Sequence, residues 1–396
     1  MAGLEFQVQD ATFRVDPGDF EARRLTVQSV PRPYEVRLAP GGAASEVARV
    51  LQANPRARLV ADRKVHALHL GAVDVDPRRV LLLDATETAK SLTGGVVPVI
   101  DWISEAGMTK SDPLLVVGGG IIQDIAGFAA LLYKRGIPWT FLPTTLLSQC
   151  DSCIGAKAGL NHGRAKNQLA LFSAPREVVI DATFLATLQE EEIRSGLGEI
   201  LKLHLTGGPW FADRFAAAMN AAGSGLPSPE SLEGLTWSSL LVKRAVIEPD
   251  EFELDLRRAL NYGHTIGHAI ENLSGFAIPH GKAICLGMAI VNQLAVNRGI
   301  LARSEHDRVL ALIDKVVDDP ARAKLGELDL TRLRGVLSRD KKNTGSTLNL
   351  VVMSRVGHLR FLGIENDERF SEELADILAW TARPRVESPT PKGMER

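Results

Sequence analysis

Cysteine is scarce in this chain, with three in 396 residues. So small and odd a number excludes a disulfide-stapled scaffold and points to a reducing compartment. Charge of one sign is lacking too. Lys and Arg number 46 against 48 Asp and Glu, a net charge of −2, so no overall field recruits nucleic acid or an anionic membrane. No uncharged apolar run reaches the ~18 residues that a membrane helix needs. The start of the chain carries Glu5 and Asp10 in place of a basic stretch followed by an apolar one, so no export signal is expected. What remains, 45% apolar and 24% charged, is the mix of an ordinary soluble globule. The expectation is a cytoplasmic protein of two domains whose partner is a small molecule.

The first half reads as strands alternating with helices. After a weakly patterned start (1–33), Tyr34-Glu35-Val36-Arg37-Leu38 alternates as a half-buried strand. Short apolar strands follow at 57–62, 79–84, 114–117, 139–142 and 178–181, with helices at 43–52, 89–106 and 121–135 between them. That order predicts a mostly parallel α/β sheet. Beyond Asp181 the pattern turns helical, at 190–205, 231–247, 256–273, 282–298, 303–316 and 331–337, with one strand pair at 348–353 and 358–362. The boundary is placed so that 1–181 and 182–382 are the two domains, with 383–396 a disordered tail.

Four groups of residues could carry chemistry. Gly118-Gly119-Gly120 sits between a strand and a helix, where backbone N–H groups and the helix dipole suit a pyrophosphate. A tight turn alone would read the same way. Arg257, Asn261, His264 and His268 are spaced by four, three and four residues, which places them on one arc of a helix over 256–273. Four such polar groups among apolar neighbours must each find a partner, which marks a functional face. Glu199 and Lys202 share a helix face flanked by leucines, either a surface ion pair or a buried carboxylate beside a metal. Glu199, His264 and His280 would make the two-histidine, one-carboxylate set of a catalytic zinc. His264 and His268 could equally both be ligands at their spacing. Last, Asp151-Ser152-Cys153-Ile154-Gly155-Ala156-Lys157, with Asn161, Lys166 and Asn167, reads as a loop folded around a polar ligand, its lysines able to hold phosphate. Cys150, just before it, and Cys153, within it, read as two buried thiols, since no small redox domain surrounds them.

These residues together resemble the sugar-phosphate cyclases, the superfamily typified by 3-dehydroquinate synthase. The resemblance runs over roughly 34–362. It rests on Gly118-Gly119-Gly120-Ile121-Ile122-Gln123-Asp124, Pro143-Thr144-Thr145-Leu146-Leu147, Lys166-Asn167, Gly198-Glu199-Ile200-Leu201-Lys202, Leu260-Asn261-Tyr262-Gly263-His264-Thr265-Ile266-Gly267-His268-Ala269-Ile270-Glu271 and His280-Gly281. It implies an α/β N-terminal Rossmann-like NAD domain, a mostly α-helical C-terminal metal-binding domain, and a homodimer. It also implies zinc (or cobalt, which the same ligands accept) on Glu199, His264 and His280, with His268 facing the substrate. NAD contacts are implied at Asp62, Glu87, Lys90, the triple glycine, Asp124, Thr144 and Thr145. Catalytic and substrate roles are implied for Asp151, Lys157, Lys166, Asn167, Lys202, Lys243, Arg257, Asn261, His268 and one of Lys341 or Lys342. Arg135 would reach the phosphate site of the neighbouring subunit.

The implied chemistry is a transient oxidation of a seven-carbon sugar phosphate, phosphate elimination, re-reduction, ring opening and an aldol closure to a carbocycle. Two departures steer the choice of substrate. The shikimate-route synthase usually reads Gly-Gly-Lys-Thr where this chain has Gly155-Ala156-Lys157-Ala158, and Glu after His-Gly where this chain has Lys282. These look more like the branch that cyclises sedoheptulose 7-phosphate, of the 2-epi-valiolone type. Lys243, Arg257 and Asn261 keep the carboxylate-reading pattern of the 3-dehydroquinate synthases, which stand second. A metal-dependent polyol dehydrogenase stands third, because a simple alcohol needs no phosphate clamp.

Overall fold

The computed structural model describes residues 4–39, 42–163, 165–337 and 347–385. Lys341, Lys342 and most of the tail expected from 383 lie outside them. The chain divides into two compact units, Met1–Leu260 and Asn261–Arg396. The change from sheet to helix near residue 182 falls inside the first unit.

The first unit opens with an antiparallel hairpin, β1 (Leu4–Val8) and β2 (Ala11–Val15), followed by β3 (Arg24–Val27). The weak patterning read at 1–33 thus conceals three strands. Only every second residue of β2 and β3 is buried, and such short runs carry little periodic signal. β4 (Tyr34–Leu38), β5 (Arg58–Asp62), β6 (Val80–Leu83), β7 (Leu114–Gly118), β8 (Trp139–Pro143) and, after the hairpin β9 (Lys157–His162) and β10 (Ala165–Phe172), β11 (Glu177–Ile180) complete the set. The main sheet runs β3-β4-β11-β8-β7-β5-β6, and every pairing within it is parallel except β3 with β4. Leu59, Val60, Leu115, Val116, Phe141 and Val179 are buried in the core, as continuous apolar strands covered on both faces must be. The chain leaves β5 for β6 on one side and returns to β7 on the other. This reversal opens a crevice at the carboxyl ends of β5 and β7, where open α/β sheets take their ligands.

Three readings need correction here. The helix expected over 89–106 begins at Leu92, capped by Ser91 Oγ, which accepts from Gly94 N at 3.1 Å, and its first turn, Leu92–Val96, is a π-helix that runs into the α-helix Val97–Glu105. The helix expected over 121–135 spans Gly120–Leu132, because Lys134 and Arg135 take positive φ angles of 51° and 61°. The loop expected from Asp151 onward contains the hairpin β9–β10, whose Ala158 and Leu160 point inward between exposed or half-buried polar neighbours. The density of polar residues masked that alternation. Helices Glu190–Gly207, Pro209–Ala222 and Pro229–Ile247 finish the unit.

The second unit is helical, with His264–Leu273, His280–Asn297, Arg303–Ile313, Asp319–Gly326, Leu330–Leu337 and Glu368–Thr381, and one antiparallel hairpin, β12 (Thr347–Arg355) and β13 (His358–Glu365). Ile266, Ile270, Ile284, Ile290 and Leu374 are buried within it. The single helix expected over 256–273 is broken. Leu256–Asn261 is a 3₁₀ stretch, and Gly263, at φ 77°, precedes an α-helix that starts at His264. Arg257 and Asn261 therefore do not share a helix face with His264 and His268. Among the described residues no helix is long and apolar enough to cross a membrane.

Candidate active site

The crevice of the first unit is edged by the glycine turn. Gly118 packs tightly, since a Cβ there would lie 2.6 Å from Ile122 Cβ, whereas one on Gly120 would meet nothing nearer than Ser152 Oγ at 3.9 Å. The first glycine thus serves packing, and the third leaves the N-terminus of the Gly120–Leu132 helix open to an anion. Asp62 ends β5 and accepts from Lys64 N at 2.8 Å. It lines one small cleft together with Thr144 and Thr145, which follow β8.

A second cluster surrounds the β9–β10 hairpin. Lys90 Nζ lies 2.5 Å from Asp124 Oδ2, and Asp124 Oδ1 accepts from Gly159 N at 3.1 Å. Burial pushes the Asp124 carboxyl up from its ordinary value, against the opposing pull of Lys90. Asn161 donates to Glu87 Oε2 at 2.8 Å and accepts from Asn167 N at 3.1 Å, while Lys166 lies 3.3 Å from Glu87. Glu87, Lys90, Asp124, Lys166 and Asn167, which the sequence assigned to cofactor and substrate separately, are therefore one connected group.

The third cluster centres on Asp151. Gln123, in the first turns after the glycines, exchanges hydrogen bonds of 2.7 Å with the backbone and hydroxyl of Ser152, which ties this loop to the glycine turn. Lys202 Nζ lies 3.1 Å from Asp151 Oδ2 and 2.5 Å from Glu199 Oε2. Lys243 pairs with the Asp151 carboxylate and donates to its backbone carbonyl at 2.7 Å. Glu199 and Lys202 are 1% and 2% exposed, which excludes the surface ion pair. Burial alone would lower the Lys202 amine, but Asp151 and Glu199 outweigh it and hold the charge firmly.

Arg257 is buried beside this cluster. It donates through Nη1 to Glu251 O and through Nη2 to Gly155 O at 3.0 Å. Gly155 has φ 94°, and a Cβ on it would stand 2.4 Å from Arg257 Nη2, so only glycine allows both the turn and the guanidinium. Burial lowers Arg257 from its ordinary value. Lys157, half-exposed, pairs with Glu253, and burial pushes its amine down to about 8 against the pull of that carboxylate. Glu253, at φ 58°, was not legible as a site residue. It lies in an acidic stretch, Asp250 to Asp255, that resembles a solvated surface run.

In the second unit His264, His268 and His280 form one cluster, their ligand nitrogens all within 4.8 Å of one another. The ring centroids lie 5.0 to 5.8 Å apart. Glycines bring them together: a Cβ on Gly287 would stand 2.1 Å from Gly263 O, so the two histidine-bearing helices meet backbone to backbone. His264 Nδ1 lies 3.2 Å from Tyr262 O, and His280 Nδ1 lies 2.9 Å from Glu271 Oε2. Both arrangements engage Nδ1 with an oxygen acceptor, the outer contact that orients metal-binding imidazoles. The cluster fits a divalent ion on nitrogen donors. Asn261 is the first residue of this unit. Glu271 is a second site residue that the sequence did not single out.

Arg135 is exposed just past the Gly120–Leu132 helix. Cys150 and Cys153 are free and buried. Burial raises both thiols, Cys153 to about 12, which suits inert core residues.

Comparison with known proteins gives these clusters a family. Residues 80–195 match the model of the 3-dehydroquinate synthase N-terminal domain, and residues 196–343 that of its C-terminal domain. The 3-dehydroquinate synthase of Geobacter metallireducens is 37% identical over 290 residues, covering 73% of this chain and 78% of the relative. That of Enterococcus faecalis is 31% identical over 355 residues, covering 87% and 97%. Among solved structures, 2-epi-5-epi-valiolone synthase from Streptomyces hygroscopicus, with NAD+ and Zn2+ bound, superposes with a TM-score of 0.71 at 29% identity, covering 88% of this chain and 96% of that one. A 2-deoxy-scyllo-inosose synthase complexed with carbaglucose-6-phosphate, NAD+ and Co2+ shares the fold, with a TM-score of 0.75 at 22% identity over 90% of this chain and 99% of that one. The class is that of the sugar-phosphate cyclases. Within it, the chain belongs to the 3-dehydroquinate synthase family.

Proposed function

We propose that this chain is an NAD- and zinc-dependent sugar-phosphate cyclase, accepting cobalt in place of zinc, that converts sedoheptulose 7-phosphate to a cyclitol of the 2-epi-valiolone type. The observation that carries the reaction class is the set of Lys202, Lys243 and Arg257, buried and gathered with Lys157 about Asp151. A polyol dehydrogenase has no use for so many buried cations, whereas a substrate bearing phosphate and several hydroxyls does.

In this reading the crevice edged by Asp62, Gly118, Gly119, Gly120, Thr144 and Thr145 holds the dinucleotide, and Glu87, Lys90 and Asp124 extend its contacts. His264 and His280 would hold the ion, while the carboxylate role of Glu199 and the substrate-facing role of His268 rest on the family resemblance. A bound dinucleotide would supply reversible hydride acceptance, and a bound divalent ion would supply acidification of the hydroxyl to be oxidised. The chain's own residues do the rest. Lys202 and Lys243, anchored on Asp151, present fixed N–H donors to the sugar oxygens. Lys157, Lys166 and Asn167 hold the phosphate while the proton on the carbon next to the new ketone passes to a phosphate oxygen and the carbon–oxygen bond to phosphate breaks. Phosphate departs with the bonding pair. Ring opening and an intramolecular carbon–carbon bond then close the carbocycle, with no net redox change. A homodimer in which Arg135 reaches the neighbouring phosphate site completes the proposal.

Ala156 and Lys282 favour sedoheptulose 7-phosphate. Ala156 is buried at φ 58° beside Arg257's glycine, and Lys282 is buried against Asp318 at 2.7 Å. The second reading, 3-dehydroquinate synthase, draws on Lys243 and Arg257 and on relatives of that name at 31–37% identity. Phosphate release measured in parallel from sedoheptulose 7-phosphate and from the 3-deoxy-heptulosonate phosphate of the shikimate route, with NAD and zinc, separates them. Release from the first alone supports the proposal; release from the second alone overturns the substrate.

A further inference from the structure

The segment at 28–34 reaches Arg257 by two independent routes. On one side, the buried Glu251 carboxylate accepts from Ser29 Oγ and from Val30 N at 2.6 Å, and Glu251's own carbonyl accepts from Arg257 Nη1. On the other, the buried Tyr34 Oη accepts from Gly155 N at 2.9 Å, and Gly155's carbonyl accepts from Arg257 Nη2 at 3.0 Å. Asp250 closes the loop between them, its carboxylate accepting from Leu254 N, Asp255 N and Arg257 N at 2.8 to 2.9 Å. A planar guanidinium held by two carbonyls points only where those carbonyls let it, and a buried carboxylate keeps its place only while its donors remain.

We propose that residues 28–34 form a positioning strap for Arg257, with Ser29 and Val30 its contacts on one side and Tyr34 its contact on the other. The strap fixes the two carbonyls that aim the guanidinium, and so sets how the site meets an anionic or hydroxylated part of its substrate. This rests on the reading of Arg257 as a substrate-binding side chain. The remaining contacts of the N-terminal segment fit the same role: Asp19 pairs with Arg244, its carbonyl accepts from Trp237 Nε1 at 2.9 Å, and Gln28 N donates to Glu248 at 2.9 Å. All of these anchor the strap on the helix and turn that lead into the Glu251–Arg257 loop.

The test is phenylglyoxal modification of the full-length protein, with the adduct at Arg257 followed by peptide mass spectrometry in wild type, S29A, S29T and Y34F. Losing one buried hydrogen bond to the loop is expected to raise the Arg257 modification rate about five-fold in S29A and Y34F. S29T keeps the hydroxyl and should match wild type, and melting temperatures should stay within a few degrees. An Arg257 rate unchanged in both S29A and Y34F, or raised equally in S29T, overturns the strap. Because labelling needs no turnover, it reads the strap even if neither sugar phosphate is a substrate. With an active substrate, S29A should raise KM and leave kcat close to wild type.

Discussion

His280 Nδ1 lies 2.9 Å from Glu271 Oε2, so the first residue of one helix is oriented by a carboxylate near the end of the helix before it. A carboxylate behind a metal-binding imidazole fixes its tautomer and raises its basicity. Glu271→Ala is expected to weaken zinc binding by about 10–100-fold while leaving the helical content unchanged. Competition titration against a chromogenic chelator reads the affinity directly. An affinity equal to wild type removes Glu271 from the site.

Lys202 gives a second prediction, with a definite pH direction. The amine is held charged by Asp151 and Glu199, so the folded state binds its proton more tightly than the unfolded chain does. That contribution to stability is complete below the ordinary lysine value of 10.5 and is lost as pH rises toward and through the higher folded value. Lys202→Met removes the buried charge that pairs with both Asp151 and Glu199. Removing one partner of a buried pair costs about 3–5 kcal/mol. Melting curves at pH 7 should show a large drop for the variant. A variant as stable as wild type at pH 7 would contradict the geometry.

Much of this was legible in the chain, for physical reasons that name themselves. Continuous apolar strands such as Leu114-Leu115-Val116-Val117 announce a sheet covered on both faces, and Glu199 with Lys202 among leucines announces a buried pair. The break at Gly263 was not legible. Arg257, Asn261, His264 and His268 fit a helical period, and the break falls where Gly263 turns to φ 77° against Gly287, more than twenty residues away in sequence. Glu253 and Glu271 escaped for the same reason: each acts through a partner, Lys157 or His280, that local pattern does not pair it with.

That helix contact can be probed directly. A Cβ on Gly287 would stand 2.1 Å from Gly263 O and 2.8 Å from Gly267 N, both backbone atoms that cannot turn aside. Gly287→Ala must push the His264–Leu273 and His280–Asn297 helices apart. Overpacking of this kind costs about 1–3 kcal/mol. The expected result is a lower melting temperature together with weaker zinc binding, because the same separation spreads His264 and His268 from His280. Calorimetry with and without zinc checks both. Loss of stability with zinc affinity intact would show that the histidine cluster does not depend on this contact.

Lys157 offers the last and most direct check on the electrostatics. Burial pushes its amine down to about 8, while the Glu253 carboxylate pulls the other way and Arg257 and Lys243 push it lower. Acylation by an amine-reactive ester depends on the neutral amine, so its pH dependence reads the protonation state of this one side chain. The Lys157 modification rate is expected to reach half its maximum near pH 8, well below the ordinary lysine range. In Glu253→Gln the opposing carboxylate is gone, so the midpoint should move lower still. Inorganic phosphate, if it docks on the amine, should move the midpoint up in wild type by adding negative charge. A midpoint in the ordinary lysine range, unmoved by Glu253→Gln, would mean that Lys157 is solvated and takes no part in the cationic cluster around Asp151.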